Sequence, residues 1–156
     1  MGEFDNQLCL FDWKYRKMRN QIDSRILSGL NAEFVEENCS IFSALEGQFE
    51  EYMNKKRKEF DIPMITIGTE FQKKVWNTLK TIPYGKTESY LGLSKRLDNP
   101  KAVRAVASAN GANAISILIP CHRIIGSNGS LGGYAGGLPT KQKLLDLESQ
   151  MYFDWD

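Results

Sequence analysis

The feature that most constrains this chain is its punctuation between residues 69 and 110, where start and stop signals mark out a series of short helices. Thr69 is followed three residues later by Gln72, the spacing of a capping box in which each side chain satisfies an amide at the helix start. Phe71, Val75, Trp76 and Leu79 then recur at helical steps and make one apolar face. Pro83-Tyr84-Gly85 reads as a turn. A second helix is expected over roughly Glu88–Leu97, stopped by Asp98-Asn99-Pro100. A third is expected from there to about Asn110, because proline suits the first helical position. Two helices joined by a tight turn have the form of a helix-turn-helix, a pattern that many helical domains share without binding DNA.

Upstream, residues 40–58 place Phe42, Leu45, Phe49 and Met53 at three- and four-residue steps, which predicts a helix with that face inward. Residues 6–19 mix aromatics, basics and partial alternation and read as a strand or short ribbon. Asp61-Ile62-Pro63 ends this unit, because the residue before a proline is pushed out of helical geometry. The expected division is therefore 1–62 and 63–156.

With 156 residues, 42% hydrophobic and 25% charged, the chain fits one ordinary or two small soluble domains. No apolar run approaches the ~18 residues that cross a bilayer, so no membrane association is expected. The N-terminus has no signal-peptide pattern. The expected location is the cytoplasm of a prokaryote, or the nucleus if the source is eukaryotic. A net charge of only +1 excludes a nucleic-acid binder of the purely electrostatic kind, so any charge that meets DNA must be local. Cys9, Cys39 and Cys121 are odd in number and widely spaced, which argues against a disulfide framework. A single histidine, His122, and no CxxC leave no metal-ligand set, so neither metal nor cofactor is expected.

The third predicted helix puts Val103 and Val106 on one face and Lys101, Arg104 and Ser108 on the opposite one, with Ala102, Ala105 and Ala109 between them. Such a stripe reflects helix propensity and close packing, or else lets a backbone approach a narrow groove such as the minor groove of DNA. The apolar segment Ile115–Ile119 reads as a short buried strand leading to Pro120-Cys121-His122-Arg123. A thiol reacts as its thiolate, and a neighbouring histidine can take the proton. On a strand, however, adjacent side chains point apart, so contact requires that Cys121 open a turn. Without it, the pair is a buried cysteine beside a surface histidine. Six glycines between Gly126 and Leu138 suit a loop whose backbone approaches a ligand closely. A flexible linker is the plainer reading, against which Tyr134 and its apolar neighbours argue, and the lysine of a phosphate-binding loop is missing. In the last predicted helix, about Lys141–Ser149, Glu148 shares the side of Leu144 and Leu145. It lies at the solvated edge of that stripe or points inward to polarise His122.

Ile119-Pro120-Cys121-His122-Arg123-Ile124-Ile125 resembles the signature of the O6-alkylguanine-DNA alkyltransferases. GTEFQKKVW (68–76), IPYGKTESY (82–90), KAVRAVASAN (101–110), GGYAGGL (132–138) and LLDLE (144–148) extend the similarity from about residue 60 to 149. Before that only stretches such as LEGQFEEYM are similar. The resemblance implies an α+β fold: a small N-terminal domain with an antiparallel β-sheet and a helix, then a mainly helical C-terminal domain with a helix-turn-helix that enters the minor groove. It implies repair of double-stranded DNA by transfer of an alkyl group from O6-alkylguanine, with O4-alkylthymine left open, irreversibly to Cys121 of a monomer acting once. The damaged base is extruded into a pocket. By the match, His122 is the base acting through a water, Glu148 orients it, and Asn113 braces the active-site turn. Tyr90 gives a proton to the leaving guanine, and Arg104 fills the gap left in the duplex. Lys101, Ala102, Ala105 and Ser108 fall on the DNA-facing helix, and Tyr134, Ala135 and Ile124 in the pocket. Ala135 stands where some relatives carry serine, which leaves its backbone amide as the contact to the alkylated oxygen. Some animal relatives bind zinc in the N-terminal domain; this chain lacks the histidines for it.

Two other classes compete. A damage sensor of the alkyltransferase-like kind replaces the acceptor cysteine, and Cys121 argues against that. A cysteine hydrolase would need water to release its intermediate, and a thioether has no acyl carbonyl to attack.

Overall fold

The computed structural model describes residues 1–149; residues 150–156 of the expected second unit lie outside the described residues. Strands β1 (Gly2–Phe4) and β2 (Gln7–Leu10) form an antiparallel hairpin. Its turn, Asp5-Asn6, has φ of 52° and 60°, the left-handed geometry that two-residue hairpin loops require and that Asp and Asn tolerate. The strand expected over 6–19 therefore covers only its first part. From Phe11 the chain leaves the hairpin, and helix α1 (Arg19–Leu30) follows. That helix escaped the periodicity argument because only Ile22 and Ile26 of it are buried. Helix α2 (Ser40–Met53) occupies much of the predicted stretch, but its inward residues are Leu45 and Tyr52, and Met53 is exposed.

Helix α3 (Glu70–Leu79) opens on the predicted capping box: Thr69 Oγ1 accepts from the Gln72 amide at 3.1 Å and Gln72 Oε1 from the Thr69 amide at 3.0 Å. Val75, Trp76 and Leu79 are buried and Phe71 packs on the same core. The second predicted helix begins later than expected. Glu88–Ser89 form strand β3, and Ser89 caps α4 (Tyr90–Arg96) by accepting from the Gly92 amide. Pro100 does not start the third helix. Asp98 adopts φ 55° and the Ala102 amide bonds back to the Asn99 carbonyl at 3.0 Å, so Pro100 sits in the turn and α5 runs Val103–Gly111 with Ala102 as its cap. Helices α3, α4 and α5 pack on one another, and the Trp76 indole donates to the Ala109 carbonyl at 2.9 Å.

Residues on both sides of position 62 share one apolar core, in which Leu8, Leu45 and Ile62 meet Val75, Leu79, Leu93 and Ile119. Leu8 forms a parallel bridge with Met64, and Phe11 another with Ile115. Strand β2 and its extension thus join the N-terminal hairpin to the segment that carries the thiol. Strand β4 (Ile124–Ile125) pairs in parallel with β3, and α6 (Leu138–Ser149) closes the described chain.

Candidate active site and nucleic-acid interface

The expected strand over Ile115–Ile119 is instead a compact turn. The Leu118 amide bonds to the Ser116 carbonyl and the Ile119 amide to the Ile115 carbonyl, leaving isolated bridges and no ladder. Ile117 holds φ 72°, a left-handed conformation that a β-branched residue rarely adopts. Strain of this kind persists where the surroundings over-determine the backbone. Here Asn113 does so. Its Oδ1 accepts from the Ile115 amide at 3.0 Å and its Nδ2 donates to the Ile119 carbonyl at 2.8 Å, spanning the turn from within. The same Nδ2 lies 3.2 Å from Cys121 Sγ. Because α5 ends at Gly111, one buried side chain joins the helix end, the turn and the thiol.

Cys121 opens a 3₁₀ turn, Cys121–Arg123, so the strand geometry that would send its side chain and His122 apart is absent. Burial pushes the thiol above its ordinary value, and the Asn113 hydrogen bond pulls it back toward the thiolate. His122 is fully buried, not a surface residue. Burial depresses its basicity while Glu148 opposes that effect. Its Nε2 lies 2.8 Å from Glu148 Oε1, and its Nδ1 has no hydrogen-bond partner among the described residues.

Glu148 is the inward carboxylate, not one at a solvated edge, and it is heavily partnered. Oε1 also accepts from the Tyr52 hydroxyl at 2.7 Å and from Arg123 at 2.9 Å, and Oε2 accepts from Arg123 Nε at 2.9 Å and the Gly85 amide at 3.3 Å. Burial alone would raise its pKa, but bonds and charges from His122 and Arg123 outweigh that and hold it at about 2. A buried charge requires such a set of donors. Arg123 completes its own set by donating to the Ile82 carbonyl at 2.6 Å. Tyr52 and Arg123 were not assigned roles from the sequence. For Tyr52 the signal was there: it lies seven residues beyond Leu45, on the same face of α2.

Cys121 opens into a cavity of about 280 Å³, bounded by Tyr90, by Ala107, Asn110 and Gly111 of the α5 side, and by Gly133, Tyr134 and Ala135. Tyr90 is half-buried, and both burial and Cys121 raise its pKa. The glycine run is folded against protein, not left as a linker. A Cβ on Gly132 would lie 3.0 Å from the Tyr90 hydroxyl, and one on Gly136 only 2.5 Å from the Trp13 ring. The wall is fastened from below by Lys141, a third residue unassigned from sequence, whose fully buried ammonium donates to the carbonyls of Ile124, Leu131 and Gly133. Burial lowers its pKa to about 8. It too was legible as a position, seven residues before Glu148 on one helix face. Ile124 does not line the cavity: its side chain is wholly enclosed in the main core, and its carbonyl is what serves the site.

On α5, Arg104, Ala105 and Ser108 are exposed, as is Lys101 just before the helix. The expected alanine stripe is broken. Ala109 is buried in the core, and Ala102 is half-buried against it and precedes the helix. Val106 is buried as expected, but Val103 only partly.

A thiol lining a small cavity, next in sequence to an imidazole–carboxylate pair and close to the helix pair α4–α5, sets a cysteine beside a helix-turn-helix. Residues 70–150 match the family described as 6-O-methylguanine DNA methyltransferase, DNA binding domain. The methylated-DNA–protein-cysteine methyltransferase of Methanosarcina acetivorans is 52% identical over 112 residues, covering 72% of each chain. The inducible one of Bacillus subtilis is 50% identical over 106 residues, 68% of this chain and 59% of that one. A crystal structure of Mycobacterium tuberculosis OGT in complex with DNA is similar with a TM-score of 0.68 and 46% identity, covering 69% of this chain and 67% of that chain. The O6-methylguanine-DNA methyltransferase of Pyrococcus kodakaraensis has a TM-score of 0.67 at 25% identity, covering 84% and 76%. The chain belongs to the methylated-DNA–protein-cysteine methyltransferase family.

Proposed function

We propose that this protein repairs O6-alkylguanine in double-stranded DNA by taking the alkyl group onto Cys121. Residues 63–156 would carry both DNA binding and the acceptor thiol, with α5 laid in the minor groove. The damaged base leaves the stack and enters the cavity, whose volume lies near the small end of ligand pockets (~300–1,000 Å³) and so suits a single base. His122 accepts the Cys121 proton at Nδ1, through a water, and becomes a cation that Glu148 stabilises. The thiolate attacks the alkyl carbon. A carbon–sulfur bond forms, the carbon–oxygen bond breaks, and Tyr90 supplies a proton to a ring nitrogen so that guanine leaves neutral. The Ala135 amide holds the alkylated oxygen, and Arg104 occupies the gap in the duplex. The thioether product is stable, so each chain, acting as a monomer, reacts once.

The observation that carries this reading is Cys121 Sγ lining the cavity, 3.2 Å from Asn113 Nδ2, with the next residue, His122, paired at 2.8 Å with Glu148 of α6. Incubation with a duplex containing O6-methylguanine, followed by peptide mapping, tests it. The expected product carries one methyl group, on the Cys121 peptide. A methyl on Cys9 or Cys39, or none on the protein, contradicts it.

A further inference from the structure

The cavity shares a wall with a larger groove. Gly133, Tyr134 and Ala135, which wall it, also form one bank of a groove of about 750 Å³ whose other bank is residues 13–18. That bank is anchored from below. Trp13 Nε1 donates to the Tyr134 hydroxyl at 3.3 Å, and its ring lies against Gly136. The Arg16 guanidinium is paired with the buried Asp12 at 2.8 Å and donates to the Asn113 carbonyl at 3.0 Å and to the Gly111 carbonyl at the end of α5. Outward from this base stand Lys14, Tyr15, Lys17 and Met18, all exposed, with Tyr15 at 88%. Neither lysine is in an ion pair among the described residues, and the Asp12 carboxylate on the same segment is paired with Arg16.

An extruded nucleotide stays joined to both neighbours, so its strand must cross the mouth of the cavity. That mouth lies between α5, at Ala107 and Gly111, and the Gly133–Ala135 wall. A strand that arrives along α5 leaves over the wall, and over the wall is the groove. A chain of net charge +1 must concentrate its cations where phosphates run, and Lys14 and Lys17 are two exposed cations on one bank of this groove. We propose that the groove carries the backbone of the lesion-bearing DNA strand beyond the extruded nucleotide, with Lys14 and Lys17 on its phosphates and Tyr15 against the adjacent sugar or base. This rests on the reading that the base enters the Cys121 cavity.

The test is a salt titration of binding to a duplex that contains one O6-methylguanine and is short enough to seat one molecule, in a Cys121→Ser background that cannot consume the lesion, for that chain alone, with Lys14→Gln/Lys17→Gln and with each single variant. Melting curves certify the fold. Loss of two phosphate contacts makes the slope of log affinity against log salt less negative by ~1.8. Affinity falls by roughly 10- to 60-fold at about 0.1 M salt, and the difference closes toward 1 M. Each single variant gives about half the slope change. Tyr15→Ala weakens binding about fivefold or more with the slope kept, as loss of a stacking contact does. Unchanged slope and affinity in the double variant overturn the proposal. So does a loss confined to cooperative binding on long duplexes, which would assign the groove to a second copy of the chain. Methyl transfer by the parent chain is measured alongside. If Cys121 is never methylated, the functional reading fails; if it is methylated while the slopes coincide, only this inference fails.

Discussion

Replacing Glu148 by glutamine keeps its shape but removes its charge and turns one acceptor oxygen into a donor. In the structure the carboxylate accepts from Tyr52, His122, the Gly85 amide and Arg123. Two consequences follow. Arg123, only 8% exposed at its side chain, is left without its anion. Removing one partner of a buried pair costs about 3–5 kcal/mol, so the melting temperature should fall markedly and the assay must be run well below it. His122 also loses the acceptor that fixes its tautomer and stabilises its cation. General-base assistance is worth ~10²–10⁴ in rate, and single-turnover methyl transfer at saturating duplex should slow within that range. Affinity for undamaged duplex should stay within about twofold, because the exposed residues of α5 lie on a different element. The rate is read by quenched-flow sampling of the methylated Cys121 peptide, beside a melting curve on the same preparation. A folded Glu148→Gln protein that transfers at the parent rate would remove the carboxylate from the relay.

Further outcomes are expected. Arg104→Ala should slow repair of duplex DNA even at saturation, but matter little for free O6-alkylguanine base, which needs no extrusion; full recovery on saturating duplex would reduce Arg104 to a phosphate contact. Gly136→Ala puts a Cβ 2.5 Å from the Trp13 indole and should cost about 1–3 kcal/mol, read as a lower melting temperature; an unshifted melt would refute that packing. Acid should destabilise the fold in two stages, because His122 and Glu148 both bind fewer protons folded than unfolded. Stability present above His122's ordinary 6.5 declines as pH falls below it, and declines again below 4.5 as Glu148, held at about 2, is protonated, the carboxylate accounting for roughly 3 kcal/mol. Denaturant titrations between pH 8 and 3 check this, and a flat profile would contradict it.

The α3 capping box and apolar face were legible because both are local: the signals lie within one or two turns of the residues they organise. The strand read into Ile115–Ile119 failed because apolar runs do not distinguish a buried strand from a buried turn, and what bends this one is a side chain outside it, Asn113. Pro100 failed as a helix start because the Asp98–Ala102 turn bonds back on itself first. Within the site, Cys121, His122 and Glu148 stood out through motif and helix phase. For Tyr52 the inward position on α2 was legible but the role was not, because that role depends on packing between segments 96 residues apart in sequence. Trp13 and Arg16 likewise act through contacts that local pattern does not encode.

If the proposed chemistry holds, the alkyl group ends on this chain's own sulfur, once. A titration of protein against excess duplex containing O6-methylguanine tests it directly, with repaired guanine and methylated Cys121 peptide quantified together. Both should rise in parallel and stop at one per chain, however long the incubation. Repair that continues past that plateau, or repaired guanine without an equal amount of S-methylated Cys121, would contradict it.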